Sequence, residues 1–436
     1  MASTKLKDDL NSRAHRAIPG GCHTYAKGDD QYPFDAPTFI ERGKGCRVWD
    51  LEGREYIEYG MGLRAVTLGH AHEPSIEAAC AQMRRGVNFN RPASIEVEAA
   101  EALLSVLPRA EQVKFAKDGS TVLTAGITLA RARTGRIKIA LCADHPFFSY
   151  NDWFMITTGI PAGIPEVRRQ ETLTFRYNDL AGVERLFQEN PGEIACVLLE
   201  AARTVEPKDG FLQKLRDLAH RHGALFMIDE MVTGFRWDIG GAQAVYDIEP
   251  DLATFGKALG NGFAISALVG KRDVMDLGGL HHDRERVFLL STTHGAESSA
   301  LAAAKKIIEI YKTEDVIGTL YRQGERLRAG VARTVEELRL QDYFTMDGRA
   351  CSILYGTRDS ERKPSQPFRT LFLQQTLRRG ILAPNFIVSY AHSDADIDRT
   401  IEAVSESLVV YRKALDEGVE KYLDGRPIKP VYRRFN

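Results

Sequence analysis

The sequence predicts an α/β protein: an α/β/α sandwich on a mainly parallel sheet of about seven strands, with a small α+β domain attached. Three observations predict it. From about residue 75, short apolar runs alternate with helical stretches. Two of those runs are followed within two residues by a charged residue, Asp229 and Lys257. The chain is also long enough, at 436 residues with 44% apolar content, for a large core and more than one domain.

The candidate strands are 113–116, 137–142, 194–199, 224–228, 252–255, 265–269 and 287–290. Each is a short, nearly continuous apolar run, the pattern of a strand covered on both faces. Upstream, the alternation in Cys46-Arg47-Val48-Trp49-Asp50 and Tyr56-Ile57-Glu58-Tyr59, around Glu52-Gly53-Arg54, predicts an antiparallel hairpin. Downstream, a long helix beginning near Ser299 carries the chain into a C-terminal α+β region. The expected division is a segment 1–60 contributing to the small domain, a large cofactor-binding domain 61–320, and a C-terminal small domain 321–436. No internal repeat, low-complexity tract or long Pro/Gly linker interrupts it.

Composition narrows the function. The formal charge is −1 with both signs interspersed, which leaves no footprint for nucleic acid or an anionic membrane, so small molecules are the expected partners. The N-terminus contains acidic residues and lacks an apolar core, and no apolar stretch approaches about 18 residues, so a soluble, cytoplasmic chain is expected. Six cysteines without a CxxC pair predict free thiols. His70-Ala71-His72 and His281-His282 lack further ligands at a defined spacing, so no metal is expected. Gly260-Asn261-Gly262 lacks the rest of a dinucleotide fingerprint. Ser393-Asp394-Ala395-Asp396 reads as a capping box opening the last helix.

The chemistry concentrates in Asp229-Glu230-Met231-Val232-Thr233-Gly234-Phe235-Arg236 and Phe255-Gly256-Lys257. Open α/β sheets bind ligands at strand C-terminal ends, where both charged residues emerge. An aldehyde cofactor needs a lysine for its Schiff base, and its pyridine nitrogen needs an anion to stay protonated, so this pair suits pyridoxal phosphate. Lys257 is flanked by Gly256, Gly260 and Gly262, which let a flat ring approach the backbone. Asp229 could instead cap the following turn. Gly119, Ser120 and Thr121 open a helix after the run 113–116, where backbone N–H groups and two hydroxyls make an anion site; a plain helix cap is the simpler reading. Asp118 beside that site is expected to point away or to meet Lys117.

These motifs resemble the class III (subgroup II) aminotransferases of pyridoxal-phosphate fold type I, and particularly the branch around glutamate-1-semialdehyde aminomutase. The resemblance extends from Ile18-Pro19-Gly20-Gly21 to His392-Ser393-Asp394-Ala395-Asp396-Ile397-Asp398. It implies pyridoxal 5'-phosphate as cofactor, Lys257 and Asp229 as catalytic residues, and Gly119, Ser120 and Thr121 at the phosphate. It implies Met231 against one ring face and an aromatic on the other, for which His145, Phe147 and Phe148 are candidates. Thr293 would reach the cofactor of a neighbouring subunit, making the active unit a homodimer with sites at the interface. Glu200, Thr24 and Lys27 would lie near the substrate.

Three departures surround the expected substrate. Thr24 and Lys27 stand where that branch has a serine and an arginine, the family's Tyr-His-Gly stretch is rebuilt around Cys142 to Phe148, and Pro384-Asn385-Phe386-Ile387-Val388-Ser389 lacks the family's acidic residue. Lysine keeps the charge of arginine but not its planar fork. The expected activity is therefore transfer of an amino group from an amine or amino-acid donor to a small carbonyl acceptor. The alternatives are an intramolecular aminomutase and a non-catalytic protein that only binds the cofactor.

Overall fold

The computed structural model describes residues 2–145 and 147–435. The first sheet residues form β1 (Ile40–Lys44), β2 (Arg47–Asp50) and β3 (Glu55–Glu58). The expected hairpin is β2–β3, with Arg47 opposite Ile57 and Trp49 opposite Glu55. Asp50 closes its turn by accepting the backbone N–H groups of Glu52 at 3.0 Å and Arg54 at 2.9 Å.

The large sheet comprises β4 (Gln112–Ala116), β5 (Lys138–Cys142), β6 (Thr172–Phe175), β7 (Ile194–Leu199), β8 (Leu225–Asp229), β9 (Leu252–Phe255) and β10 (Ser266–Gly270). Its order is β4-β10-β9-β8-β7-β5-β6. Only β10 runs against its neighbours. The centre is the most apolar part: every residue of β7 is buried, as are all four of β9.

Six of the seven expected strands form within about a residue of their predicted ends, and one does not. Residues 287–290 are not a strand. Val287 donates one backbone bond to Leu277, at 2.8 Å, and Leu289 packs into the core while Phe288 stays exposed, so this apolar run is a loop anchored by one buried side chain. The seventh strand is β6, which pairs only with β5 at the sheet edge. Its Thr-Leu-Thr-Phe sequence carries too short an apolar signal to stand out, and its pairing comes from the sheet.

The last strands are β11 (Phe344–Asp347), β12 (Leu354–Thr357) and β13 (Ile381–Leu382). β13 joins β3 in parallel, giving a second sheet ordered β1-β2-β3-β13, while β11 and β12 form a separate hairpin. The helix Asp394–Glu417 opens with the expected capping box, the Ser393 hydroxyl and the Asp396 carboxylate each taking the other residue's backbone N–H.

Two compact units result. One is Glu73–Ile317, with the large sheet; the other takes the chain up to His72 and from Gly318 onward. The smaller unit is therefore assembled from both ends of the chain. None of the six cysteines forms a disulfide, and four of them are buried. No helix among the described residues is long and apolar enough to cross a membrane.

Candidate active site

Strands β9, β8, β7 and β5 are adjacent and parallel, so their C-terminal ends lie side by side. In that order they carry Lys257, Asp229, Glu200 and His145. β4 runs in the same direction, because β10 is antiparallel to both β4 and β9, and its C-terminal end opens into the helix Gly119–Thr134. Five strand ends thus bring the candidate residues of this unit to one edge of the sheet, where α/β proteins bind their ligands.

Asp229 is 3% exposed and ends β8. One carboxylate oxygen accepts the Met231 backbone N–H at 2.9 Å and the Thr254 hydroxyl at 3.1 Å. Burial raises its proton affinity, and the nearby charge of Lys257 works in the opposite direction. A carboxylate buried this deeply favours a cationic partner. Lys257 follows the extended Gly256 and has φ of +48°, a left-handed conformation that is costly for any residue but glycine. The adjacent Glu230 is fully buried; it accepts from Ala242 N–H and Gln243 N–H, both at 2.8 Å, and from the Thr233 hydroxyl. Its carboxylate therefore fixes the turn after β8 and faces away from a ligand role.

Met231 is 6% exposed and lies between two glycines. A Cβ on Gly119 would stand 3.2 Å from its sulfur, and one on Gly256 would stand 2.6 Å away. The missing side chains let the Met231 thioether sit close against both loops.

At the start of the helix Gly119–Thr134, Asp118 is the N-cap. Its carboxylate accepts both the backbone N–H of Thr121, at 2.9 Å, and the Thr121 hydroxyl, at 2.8 Å. Of the two dispositions expected for Asp118, the pairing with Lys117 is corrected: Lys117 pairs instead with Glu297 at 3.1 Å. Asp118 is satisfied locally because an N-cap aspartate gains both a backbone donor and the helix dipole. Ser120 is 6% exposed, and its oxygen accepts the Tyr150 N–H at 3.2 Å.

The rebuilt stretch after β5 separates the three aromatic-ring candidates. Phe148 is buried in the main core, whereas Phe147 is 47% exposed, with its ring edge-on to Phe154 at 5.7 Å. His145 is buried against Tyr177, ring centroids 5.3 Å apart, and Phe148, at 6.3 Å. Its Nδ1 accepts the Glu200 backbone N–H at 3.1 Å, which assigns the ring proton to Nε2. Burial, and then the charge of Arg203, push His145 down to about 4, against a smaller opposing pull from Asp144. Glu200 is itself buried, at 5%.

Thr293 is exposed on the turn preceding the helix Ser298–Thr313. That turn is tied down by Glu297, whose carboxylate caps the helix through Ser299 N–H and Ala300 N–H while holding Lys117. Thr24 and Lys27 are exposed on a single turn of the other unit, joined by a backbone bond of 2.8 Å. Sequence reasoning missed the Lys117–Glu297 pair, which spans too much sequence to be seen.

A family profile described as Aminotransferase class-III matches residues 25–406. The chain belongs to this family. Among curated relatives, a glutamate-1-semialdehyde 2,1-aminomutase of Syntrophomonas wolfei is 32% identical, over 93% of this chain and 98% of that one. A 3-aminobutyryl-CoA aminotransferase of Cloacimonas acidaminovorans is 30% identical over 93% of this chain and 97% of its own length. Among solved structures, the FumI protein of Sphingopyxis sp. MTA144, in its PLP internal aldimine form, superposes with a TM-score of 0.86 at 27% identity, covering 97% and 98% of the two chains. The cofactor of this class-III family member is pyridoxal phosphate, and the fold is that of its aminotransferase relatives. The sheet edge fits it: a buried anion, a lysine on the neighbouring strand end, a helix start with a buried hydroxyl, and a thioether close against two glycines.

Proposed function

We propose that the protein is a two-substrate aminotransferase, moving an amino group from an amine or amino-acid donor to a small carbonyl acceptor. The observation that carries this reading is the placement of Lys257 and the buried Asp229 at the ends of adjacent parallel strands. Pyridoxal phosphate, when bound, supplies an electron sink that stabilises negative charge at the substrate carbon.

The chain's own residues would do the rest. Lys257 holds the cofactor through its amine and, once displaced, moves the proton at the substrate carbon as general acid and base. Asp229 keeps its negative charge beside the ring nitrogen, since a cation there repays the burial of its carboxylate. Met231 supports one ring face, and Phe147, the exposed aromatic of the 145–148 stretch, is assigned to the other. Gly119 and Ser120 face the phosphate, with the Thr121 hydroxyl engaged by Asp118. Thr293 serves the partner's site in a homodimer.

The aminomutase reading is favoured by the relatives, of which several at 31–32% identity, the S. wolfei protein among them, are glutamate-1-semialdehyde 2,1-aminomutases. Against it stand Thr24, Lys27 and the rebuilt 142–148 stretch. The test is to give glutamate-1-semialdehyde alone to the enzyme carrying the aminated cofactor. A two-substrate aminotransferase produces little 5-aminolevulinate under these conditions and regains turnover when a separate donor and acceptor are supplied. Efficient conversion without them would establish the mutase instead.

A further inference from the structure

The turn that carries Thr24 and Lys27 is held from the far end of the chain. The Lys27 N–H donates to Thr24 C=O at 2.8 Å, and the N–H groups of Gly28 and Gln31 continue the pattern to Tyr25 C=O at 2.9 Å and Gly28 C=O at 3.0 Å. Residues 24–31 are therefore two consecutive turns joined at the buried Gly28, where a Cβ would meet the Asp30 carboxylate at 3.0 Å and the Tyr25 carbonyl at 3.1 Å. Thr24 and Lys27 are exposed on the first turn, and Asp29 and Asp30 belong to the second.

The C-terminal tail, residues 425–433, takes hold of that second turn. The Arg426 guanidinium donates to Asp29 C=O at 2.7 Å, the Lys429 N–H donates to Asp30 C=O at 3.0 Å, and Arg433 pairs with the Asp30 carboxylate at 2.5 Å. Both side chains of that pair are 25% exposed, so solvent screens it only in part. From the other side His15 and Asn11 approach the Asp29 carboxylate, at 3.2 and 3.4 Å, which leaves the Asp30 carboxylate as the point where the tail acts.

The tail is itself fixed. Two fully buried polar side chains of the helix Gln366–Leu377 bind its backbone: Gln374 donates to Tyr422 C=O at 2.9 Å and accepts the Asp424 N–H at 2.8 Å, and the Thr370 hydroxyl accepts the Ile428 N–H at 2.9 Å. Ile428 is buried between Pro427 and Pro430, whose fixed φ lowers the entropy lost when the tail is laid down. The tail lies past residue 406, where the match to the family ends. Short turns are marginal in water, so anchors from outside decide whether Thr24 and Lys27 are in place before a ligand arrives.

We propose that the tail is a strap that positions the substrate-proximal turn, with Arg433 as the positioning residue that acts on Thr24 and Lys27 through Asp30. This rests on the reading that sets Thr24 and Lys27 beside the substrate.

Two measurements on the holoenzyme test it. The first is hydrogen exchange over residues 24–31, followed by mass spectrometry. Arg433→Gln and Asp30→Asn should each speed exchange about tenfold, the double variant no further than either, and Arg433→Lys should stay within about threefold of wild type. The helix Gly119–Thr134 should exchange as in wild type, which separates release of the turn from general loosening. The second is the rate at which aminooxyacetate and methoxyamine capture the cofactor aldehyde, read from its absorbance. Aminooxyacetate is an anion and senses the Lys27 charge, whereas methoxyamine is neutral. Lys27→Ala should slow the anion about tenfold and Arg433→Gln about fivefold, with methoxyamine changed less than about twofold in both. Unchanged exchange in Arg433→Gln overturns the inference, and so does faster exchange that leaves aminooxyacetate capture at the wild-type rate while Lys27→Ala slows it. Equal capture by Lys27→Ala and wild type would instead remove Lys27 from the substrate, and the strap's bearing on the reaction with it, even where exchange responds as expected.

Discussion

Two neighbouring carboxylates, Asp229 and Glu230, show how position decides chemistry at the scale of the residue. Asp229 feels the nearby charge of Lys257, while Glu230 is turned into the protein, where two backbone N–H groups and a hydroxyl hold it. Replacing Asp229 with asparagine keeps the shape and removes the charge. Asp229→Asn should retain some cofactor but lose at least about a hundredfold in the amine half-reaction, or about 2.7 kcal/mol on the barrier; stopped-flow absorbance would show it, and near-wild-type rates would remove Asp229 from the chemistry. Glu230 predicts a pH effect on stability. Burial raises it from an ordinary 4.5 to about 7, so between those pH values the folded protein binds a proton that the unfolded chain does not. Its contribution to stability therefore falls as pH rises through that window. Glu230→Gln should be less stable than wild type at pH 5, and the gap should narrow by up to roughly 3 kcal/mol by pH 8. Denaturant midpoints at the two pH values check this, and a constant gap would contradict it.

At the scale of the element, the turn after β9 depends on what is absent from Gly256. That residue is extended, with φ of 179°, so its backbone would accept any side chain. The constraint is space, since a methyl group would meet the Met231 sulfur at 2.6 Å. Gly256→Ala should weaken pyridoxal-phosphate binding about tenfold by displacing Met231, and adding Met231→Ala should recover part of that loss. Equal or additive losses in a titration of the apoprotein would separate the two residues. Elements were legible where their signal was local. The strands carrying Asp229, Lys257 and Glu200 are apolar runs followed within two residues by a charge, and the capping box at Ser393 lies within four residues. β6 and residues 287–290 were exchanged because a short apolar run has the same appearance in a strand and in a loop that buries one of its side chains; only the partner strand β5 distinguishes them.

The whole molecule adds a question of assembly. Thr293 is exposed in the single chain, on a turn anchored by Glu297 and Lys117. If it completes a partner's site, mixing Lys257→Ala chains with Thr293→Ala chains yields heterodimers with one intact site and one carrying both lesions. Activity should return on subunit exchange, toward about a quarter of the wild-type level when the chains mix evenly. No recovery in demonstrated heterodimers would place Thr293 outside a shared site.

By itself the sequence determined the chemistry and the sheet that carries it. A lysine and an aspartate just after buried runs can emerge only at strand ends, because side chains within those runs are committed to the core. Tertiary structure decided which groups meet. That Asp118 caps its own helix while Lys117 crosses to Glu297, and that the Glu200 N–H selects the tautomer of His145, are consequences of strand order and loop packing. Those partners stand up to 180 residues apart, and no local pattern encodes a contact that exists only once the strands between them have paired.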